Sequence, residues 1–245
     1  MDHLKLVLET STVEAYALGF VWMILVLSTV IFVSLCSRRL GESVFVAGYV
    51  ALVLTSMLTG QKIIEMFGLT ANGGLITFAA AFLLTDLVTE HYGERQARII
   101  VWSGFVAICL YFVFINVVVL WPAVSFWPNQ SQFETTLLSS ARVTVAGMSA
   151  FLVSQFLDVR IFAYIKSKHG HGRLAIRNIA STTISQTVDT VIFITIAFYG
   201  LFPILDIIIG TTLIKIIVAL IDTPFVYFGR WILERPSAQP KRTGA

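Results

Sequence analysis

Val101-Trp-Ser-Gly-Phe-Val-Ala-Ile-Cys-Leu-Tyr-Phe-Val-Phe-Ile-Asn-Val-Val-Val-Leu120 is a run of twenty residues with no charge. As a helix rising 1.5 Å per residue it would reach about 30 Å, the thickness of a bilayer's hydrocarbon core. A transmembrane β-barrel would instead show short strands of alternating polarity. The run therefore reads as a membrane-spanning helix.

The same reading finds seven such segments, at about 17–36, 43–62, 74–90, 97–120, 137–165, 179–200 and 206–230. Composition agrees. Of 245 residues 57% are hydrophobic and 13% charged, with a mean hydropathy of +0.84, against about 45–50% and about 25% in soluble domains. So little charge cannot cover a water-facing surface, which argues against a soluble enzyme, a disordered chain and a nucleic-acid binder. The expectation is an all-α polytopic bundle of about seven transmembrane helices. An extra N-terminal helix occupies 1–42, a six-helix core 43–232, and a disordered cytoplasmic tail 233–245. The first segment is read as retained, because Met1–Glu14 is not basic and Ser37-Arg38-Arg39 follows in place of a cleavage site. Cys36 and Cys109 lie in apolar stretches and read as packing residues, with no metal or cofactor site implied.

Basic residues set the expected orientation. Loops of one parity hold Arg38, Arg39, Arg95, Arg98, Lys166, Lys168, Arg173, Arg177, Arg230, Arg235, Lys241 and Arg242, while the other side holds only Lys5 and Lys62. The C-terminus is thus placed in the cytoplasm and the N-terminus outside the inner membrane. Trp121-Pro122 and Phe126-Trp127-Pro128 suit an outer interfacial loop.

Asp86, Arg142, Asp158, Asp189, Lys215 and Asp222 fall inside spans, each at about 2.5–3.5 kcal/mol if unmitigated at a helix centre. They must face a cavity or one another. Ser154-Gln155-Phe-Leu-Asp158-Val-Arg-Ile161-Phe162 matches Ser185-Gln186-Thr-Val-Asp189-Thr-Val-Ile192-Phe193 at a constant offset of 31. Because the fifth and sixth spans run in opposite directions, the stripes Phe151-Gln155-Asp158-Phe162 and Thr182-Gln186-Asp189-Phe193 form a matched hairpin. Amide, carboxylate and ring on one face could grip a planar polar heterocycle. Phe78, Phe82, Asp86 and Glu90 form a further stripe on the third span, and Lys215 and Asp222 share a face of the seventh, where the lysine could neutralise the aspartate. Arg142 lies roughly 140° from Gln155 around an ideal helix and is expected to pair elsewhere. Interhelical hydrogen bonding is an equal reading for Gln155, Gln186 and Asn116.

Several blocks together resemble the queuosine precursor transporter family, also called the vitamin uptake transporter family. They are Lys62-Ile-Ile-Glu-Met-Phe-Gly-Leu-Thr70, Phe78-Ala-Ala-Ala-Phe-Leu-Leu-Thr-Asp-Leu-Val-Thr-Glu-His-Tyr-Gly93, Ala97-Arg98 with Trp102-Ser-Gly-Phe105, and the two Ser-Gln-x-x-Asp blocks. Arg177-Asn178 with Ser181-Thr182, and Lys215 with Asp222-Thr-Pro-Phe225, extend the likeness over about residues 45–230. Ala79 departs from the family's pattern, where Pro often follows the Phe, and no clear Asn precedes Lys62. The resemblance implies an architecture like the substrate-binding subunits of energy-coupling-factor vitamin transporters. It also implies uptake of 7-deazaguanines, either pre-queuosine bases or queuine, for tRNA modification.

Residues and resemblance agree chemically. A carboxylate can accept the N–H edge of a guanine-like base, and a glutamine can both donate and accept. The expected site uses Asp189 and Asp158 on that edge, Gln155 and Gln186 on the carbonyl, and Phe78, Phe82, Phe193 or Trp102 as stacking face, with Asp222, Arg142 and Asn116 as further candidates. Asp86 and Glu90 would serve the cytoplasmic half of the path, and Lys215 would balance charge. The partners expected are a small 7-deazapurine and the lipid bilayer, without nucleic acid; a homodimer is compatible, and no coupling ion is specified. Two alternatives are weighed: a binding subunit that needs a separate energising complex, and an intramembrane enzyme using paired aspartates, for which no His-Glu-x-x-His, Gly-x-Ser-x-Gly or Gly-x-Gly-Asp pattern is found.

Overall fold

Leu75–His91 is walled in by its neighbours along almost its whole length: every residue from Leu75 to Glu90 except Phe78 is buried. A mostly apolar helix, with Ala79-Ala80-Ala81 letting backbones approach closely, can sit at the centre of a bundle, its few polar groups met by neighbouring helices. The rest of the chain is arranged around it. A computed structural model describes residues 2–60, 62–66, 69–137, 141–169, 174–200 and 204–234.

In chain order the elements are α1 (Asp2–Leu40), α2 (Ser43–Thr59), β1 (Ile63–Met66), β2 (Leu69–Asn72), α3 (Leu75–His91), α4 (Glu94–Leu120), α5 (Gln130–Leu137), α6 (Ala141–His169), α7 (Leu174–Phe198) and α8 (Ile204–Glu234). Stretches within α1, α4, α5–α6, α7 and α8 are long and apolar enough to cross a membrane, and α2 is a shorter apolar helix. With the buried α3, all seven expected spans are helices of a polytopic bundle. Phe20, Leu25, Phe32, Val113, Phe114 and Leu220 project outward and exposed, as suits contact with lipid rather than water.

Successive long helices run in opposite directions, which gives the bundle two ends. Tight turns join α1 to α2 and α3 to α4 at the basic end, where Gly41 (φ +94°) and Gly93 (φ +90°) take left-handed backbone that other residues rarely adopt. At the opposite, hairpin end, α2 stops at Thr59, so the span expected over 43–62 is shorter than its apolar run. The chain turns back as an antiparallel pair, Ile63 opposite Asn72 and Met66 opposite Leu69. This addition to the helical bundle was hidden because Ile63–Met66 continues the preceding apolar stretch and short apolar runs do not distinguish strand from helix. Ile64 seats it against Leu75, Ala79, Ile214 and Val218. Gly74 lets the start of α3 pass the end of α2, where the Ser56 hydroxyl donates to the Gly74 carbonyl at 3.1 Å.

Helix α1 begins well before the apolar run at 17 and packs one face, with Met23, Leu27, Val30, Val33, Ser34 and Ser37 buried, against α2, α3 and α8. Trp121, Phe126 and Trp127 are exposed beyond α4. The tail from 235, with Lys241 and Arg242, lies outside the described residues, as do His171 and Arg173.

Gly104 of α4 brings Tyr49 of α2 so close that a β-carbon there would overlap the tyrosine ring. Gly104→Val is expected to destabilise the bundle by about 1–3 kcal/mol through overpacking. Gly210→Ala, with nothing within 4 Å of the added methyl, is expected to leave stability unchanged or raise it. Thermal melting of the detergent-purified chain checks both.

Candidate functional site

The α6–α7 hairpin organises the polar interior. Its two helices leave the 170–173 connection in opposite directions, and the twin Ser-Gln-x-x-Asp blocks meet in a reciprocal arrangement. Ser154 donates to Asp189 at 3.1 Å, and Ser185 donates to Asp158 at 2.8 Å. Each block's serine thus serves the other block's aspartate. The constant offset of 31 in the sequence is what makes the exchange geometrically equal.

Around this pair the other helices bring further charge. Lys215 of α8 donates to the second oxygen of Asp189 at 2.6 Å. The expected neutralisation of Asp222 by Lys215 is not what the structure shows: seven residues along one helix is about 10 Å, whereas Asp189 faces the lysine directly. One turn toward the basic end, Asp86 of α3 and Asp158 of α6 lie within hydrogen-bonding reach of each other. Asp86 accepts from Thr182 at 3.4 Å, and Asp222 of α8 accepts from Asn178 at 3.4 Å. All four aspartates are buried.

Some of this polar surface is unused within the protein. Neither amide atom of Gln155 has a hydrogen-bonding partner, nor does one oxygen of Gln186 or the hydroxyls of Tyr49 and Thr77. A buried polar atom left unpaired costs about 1–3 kcal/mol, so these atoms mark a place where donors and acceptors are held ready.

A cavity of about 200 Å³ opens at the hairpin end. Its walls come from α2 to α8, and include Phe78, Tyr111, Asn116, Phe193, Asp189 and Lys215. Mostly apolar walls with a few convergent polar groups are the usual form of a small-molecule site. Of the expected site residues, Asp189, Lys215, Phe78, Phe193 and Asn116 reach this cavity. Asn116 also donates to its own helix, at the Phe112 carbonyl, 2.7 Å away. Gln155, Asp158, Gln186, Asp86, Asp222 and Phe82 lie buried outside its lining. Among the described residues no cluster of His, Cys, Asp and Glu is arranged to hold a metal ion.

Three expected residues lie elsewhere. Trp102 is 51% exposed on α4 and meets Phe105 and Phe156 edge-on. Arg142 bonds the carbonyls of Ile196 and Tyr199, satisfying the end of α7. Glu90, at the basic end of α3, is held by Arg177 at 2.7 Å, Arg230 at 3.2 Å and Lys166 at 3.5 Å. Lys166 also donates to the carbonyls of Thr89 and Glu90. These three cations were counted as loop charges, yet they turn inward and tie α3, α6, α7 and α8 together. Arg177 is fully buried. It precedes Ser181 and Ser185 by one and two turns, so it continues the α7 polar stripe, which was the available sign.

The family described as "Putative vitamin uptake transporter" matches residues 72–229, a stretch that holds all four buried aspartates, Glu90 and Lys215. A "Probable queuosine precursor transporter" of Bacillus subtilis (strain 168) is 40% identical over 171 residues, covering 68% of this chain and 74% of that protein. A protein of the same name from Haemophilus influenzae is 25% identical over 146 residues, 60% of each chain. A "Queuosine precursor transporter" of Escherichia coli (strain K12) is 24% identical over 152 residues, 62% of this chain and 66% of that one. No solved structure matches.

Removing the anion from the basic-end cluster would leave buried cations uncompensated. Glu90→Gln is expected to destabilise the bundle by about 3–5 kcal/mol. Arg98→Ala, which breaks the exposed Arg98–Glu94 pair, is expected to change stability by less than about 1 kcal/mol. Melting curves of the two variants side by side decide the ranking.

Proposed function

Because this chain belongs to the vitamin uptake transporter family, we propose that it imports 7-deazaguanine precursors of queuosine across the inner membrane, binding them in the hairpin-end cavity. The chain is a multi-pass membrane transporter and not an enzyme. The finer reading rests above all on one observation: a buried carboxylate, Asp189, paired with Lys215, stands in a mostly apolar cavity whose walls include Phe78, Phe193 and Tyr111.

The chemistry runs as follows. Asp189 uses one lone pair on each oxygen for Ser154 and Lys215, and carboxylate oxygens have further acceptor capacity. The adjacent N–H groups on the edge of a guanine-like base fit that capacity. Phe78 and Phe193 offer ring faces to its flat surface, and the Tyr111 hydroxyl, unpartnered within the protein, is available to a carbonyl or ring nitrogen. Four buried aspartates against one buried lysine leave this interior formally negative, which suits precursors that carry a protonated aminomethyl group. The basic end, with Arg38, Arg39, Arg95, Arg98 and Lys168, is assigned to the cytoplasm, so the cavity faces the side from which substrate arrives. Asp189, Ser154, Lys215, Phe78, Phe193 and Tyr111 all fall within the six-helix core expected over 43–232.

Cells that cannot synthesise the precursor but are supplied with it report import as queuosine in their tRNA. Wild-type protein is expected to restore modification, and Asp189→Asn, at normal abundance, to reduce uptake by about tenfold or more, as expected for loss of a charge-assisted hydrogen bond. No restoration by the wild type with any deazaguanine would end the substrate assignment. Full uptake by Asp189→Asn would remove the aspartate from the site.

A further inference from the structure

We infer that the twin Ser-Gln-x-x-Asp blocks are two successive binding stations for one ligand, used in turn as the path opens first at one end and then at the other. This inference rests on the proposed substrate class, a planar base with adjacent N–H donors.

The two blocks are built alike. Each places a glutamine one turn before its aspartate and a phenylalanine one turn after it: Gln186, Asp189 and Phe193 on α7, Gln155, Asp158 and Phe162 on α6. The reciprocal Ser154–Asp189 and Ser185–Asp158 bonds show that the copies are related by reversal about the hairpin. Four residues separate Asp189 from Ser185, the partner of Asp158, so the two carboxylates are staggered by about 6 Å along the bundle. Repeats of inverted direction that meet at a central site are a common basis for alternating access in membrane transporters.

The stations differ in state. Asp189 and Phe193 line the cavity, and the carboxylate is already served by Ser154 and Lys215. Asp158, Gln155 and Phe162 are closed off, each with essentially no exposure. Yet the second station is the less satisfied of the two: both amide atoms of Gln155 are unpaired there, against one oxygen of Gln186 in the first. A leucine at 155 would avoid the cost of burying that amide, since the glutamine makes no hydrogen bond that holds this conformation.

The cover over the second station is identified too. The Arg177 guanidinium lies 5.5 Å from the centre of the Phe162 ring and is bound to Glu90 at 2.7 Å. Phe162 is the ring that, by position in its block, matches Phe193 of the first station. A base reaching Asp158 would displace Arg177 from Phe162, loosening the Glu90 cluster that ties the helices at the basic end. Filling the second station and opening that end would then be one event.

The test uses the full-length chain in lipid vesicles, with labelled 7-aminomethyl-7-deazaguanine as probe and equilibrium binding, uptake and melting as readouts. Gln155→Leu is expected to bind the probe within about threefold of wild type and to melt at the same temperature or higher, while uptake falls about tenfold, the scale of one lost hydrogen bond in a buried site. Asp158→Asn is expected to show the same split, and Asp189→Asn to lose binding itself. Equal loss of binding in Gln155→Leu and Asp189→Asn would mean a single clamp and overturn the inference. So would unimpaired uptake by Gln155→Leu. A wild type that neither binds nor transports the probe would refute the substrate assignment and remove the inference with it, an outcome distinct from failure of the variants alone.

Discussion

A carboxylate carried into a low-dielectric interior must be met there by donors, and the helices of this bundle are arranged around that requirement. Asp189 meets Ser154 and Lys215, Asp158 meets Ser185, Asp86 meets Thr182, and Asp222 meets Asn178. Each bond joins different helices, so the polar groups set helix register while the apolar faces supply bulk cohesion. At the basic end Glu90 does the same with three cations. The two kinds of charge cluster differ in a way that matters for function. Glu90 sits among an excess of positive partners, whereas the central aspartates share one lysine and several weak hydroxyl donors. The first arrangement holds helices together. The second retains acceptor capacity for something that brings N–H groups of its own.

Helix α3 makes this possible. Its near-complete burial places Phe78 at the cavity, Asp86 beside Asp158 and Glu90 at the basic end, so one column runs from mouth to clasp. Pro224 interrupts the hydrogen-bond ladder of α8 two residues beyond Asp222, and the Thr223 hydroxyl bonds the Ala219 carbonyl there at 2.9 Å. A helix locally freed of one backbone bond beside a buried carboxylate is suited to bending without unfolding.

Much of the fold was legible because membrane spans announce themselves by length and apolarity, as Val101–Leu120 does. The hairpin at Ile63–Met66 was not, since four apolar residues after an apolar helix give no distinguishing period. Among site residues, the doubled Ser-Gln-x-x-Asp pattern pointed to the α6–α7 pairing, because equal Ser-to-Asp spacing in two antiparallel helices lets each serine meet the other block's aspartate. Partners across non-neighbouring helices were hidden. Nothing local links Lys215 to Asp189, or Arg177 to Glu90, which are 26 and 87 residues apart. Tyr49 and Tyr111 were passed over because a tyrosine in an apolar span reads as packing until its hydroxyl is seen buried and unpaired.

The central claim is that Asp189 serves a ligand pocket, with the other buried aspartates behind it, and that these groups are more than helix stitching. Titrating the purified chain with a small series of deazapurines while following its melting temperature tests this most directly, since a ligand that binds only the folded state adds about 2.7 kcal/mol at a hundred times its dissociation constant. The account predicts a saturable rise for bases that present a guanine-like N–H edge, and a much smaller one for analogues lacking it. An equal rise with and without that edge, or none at all, would contradict it.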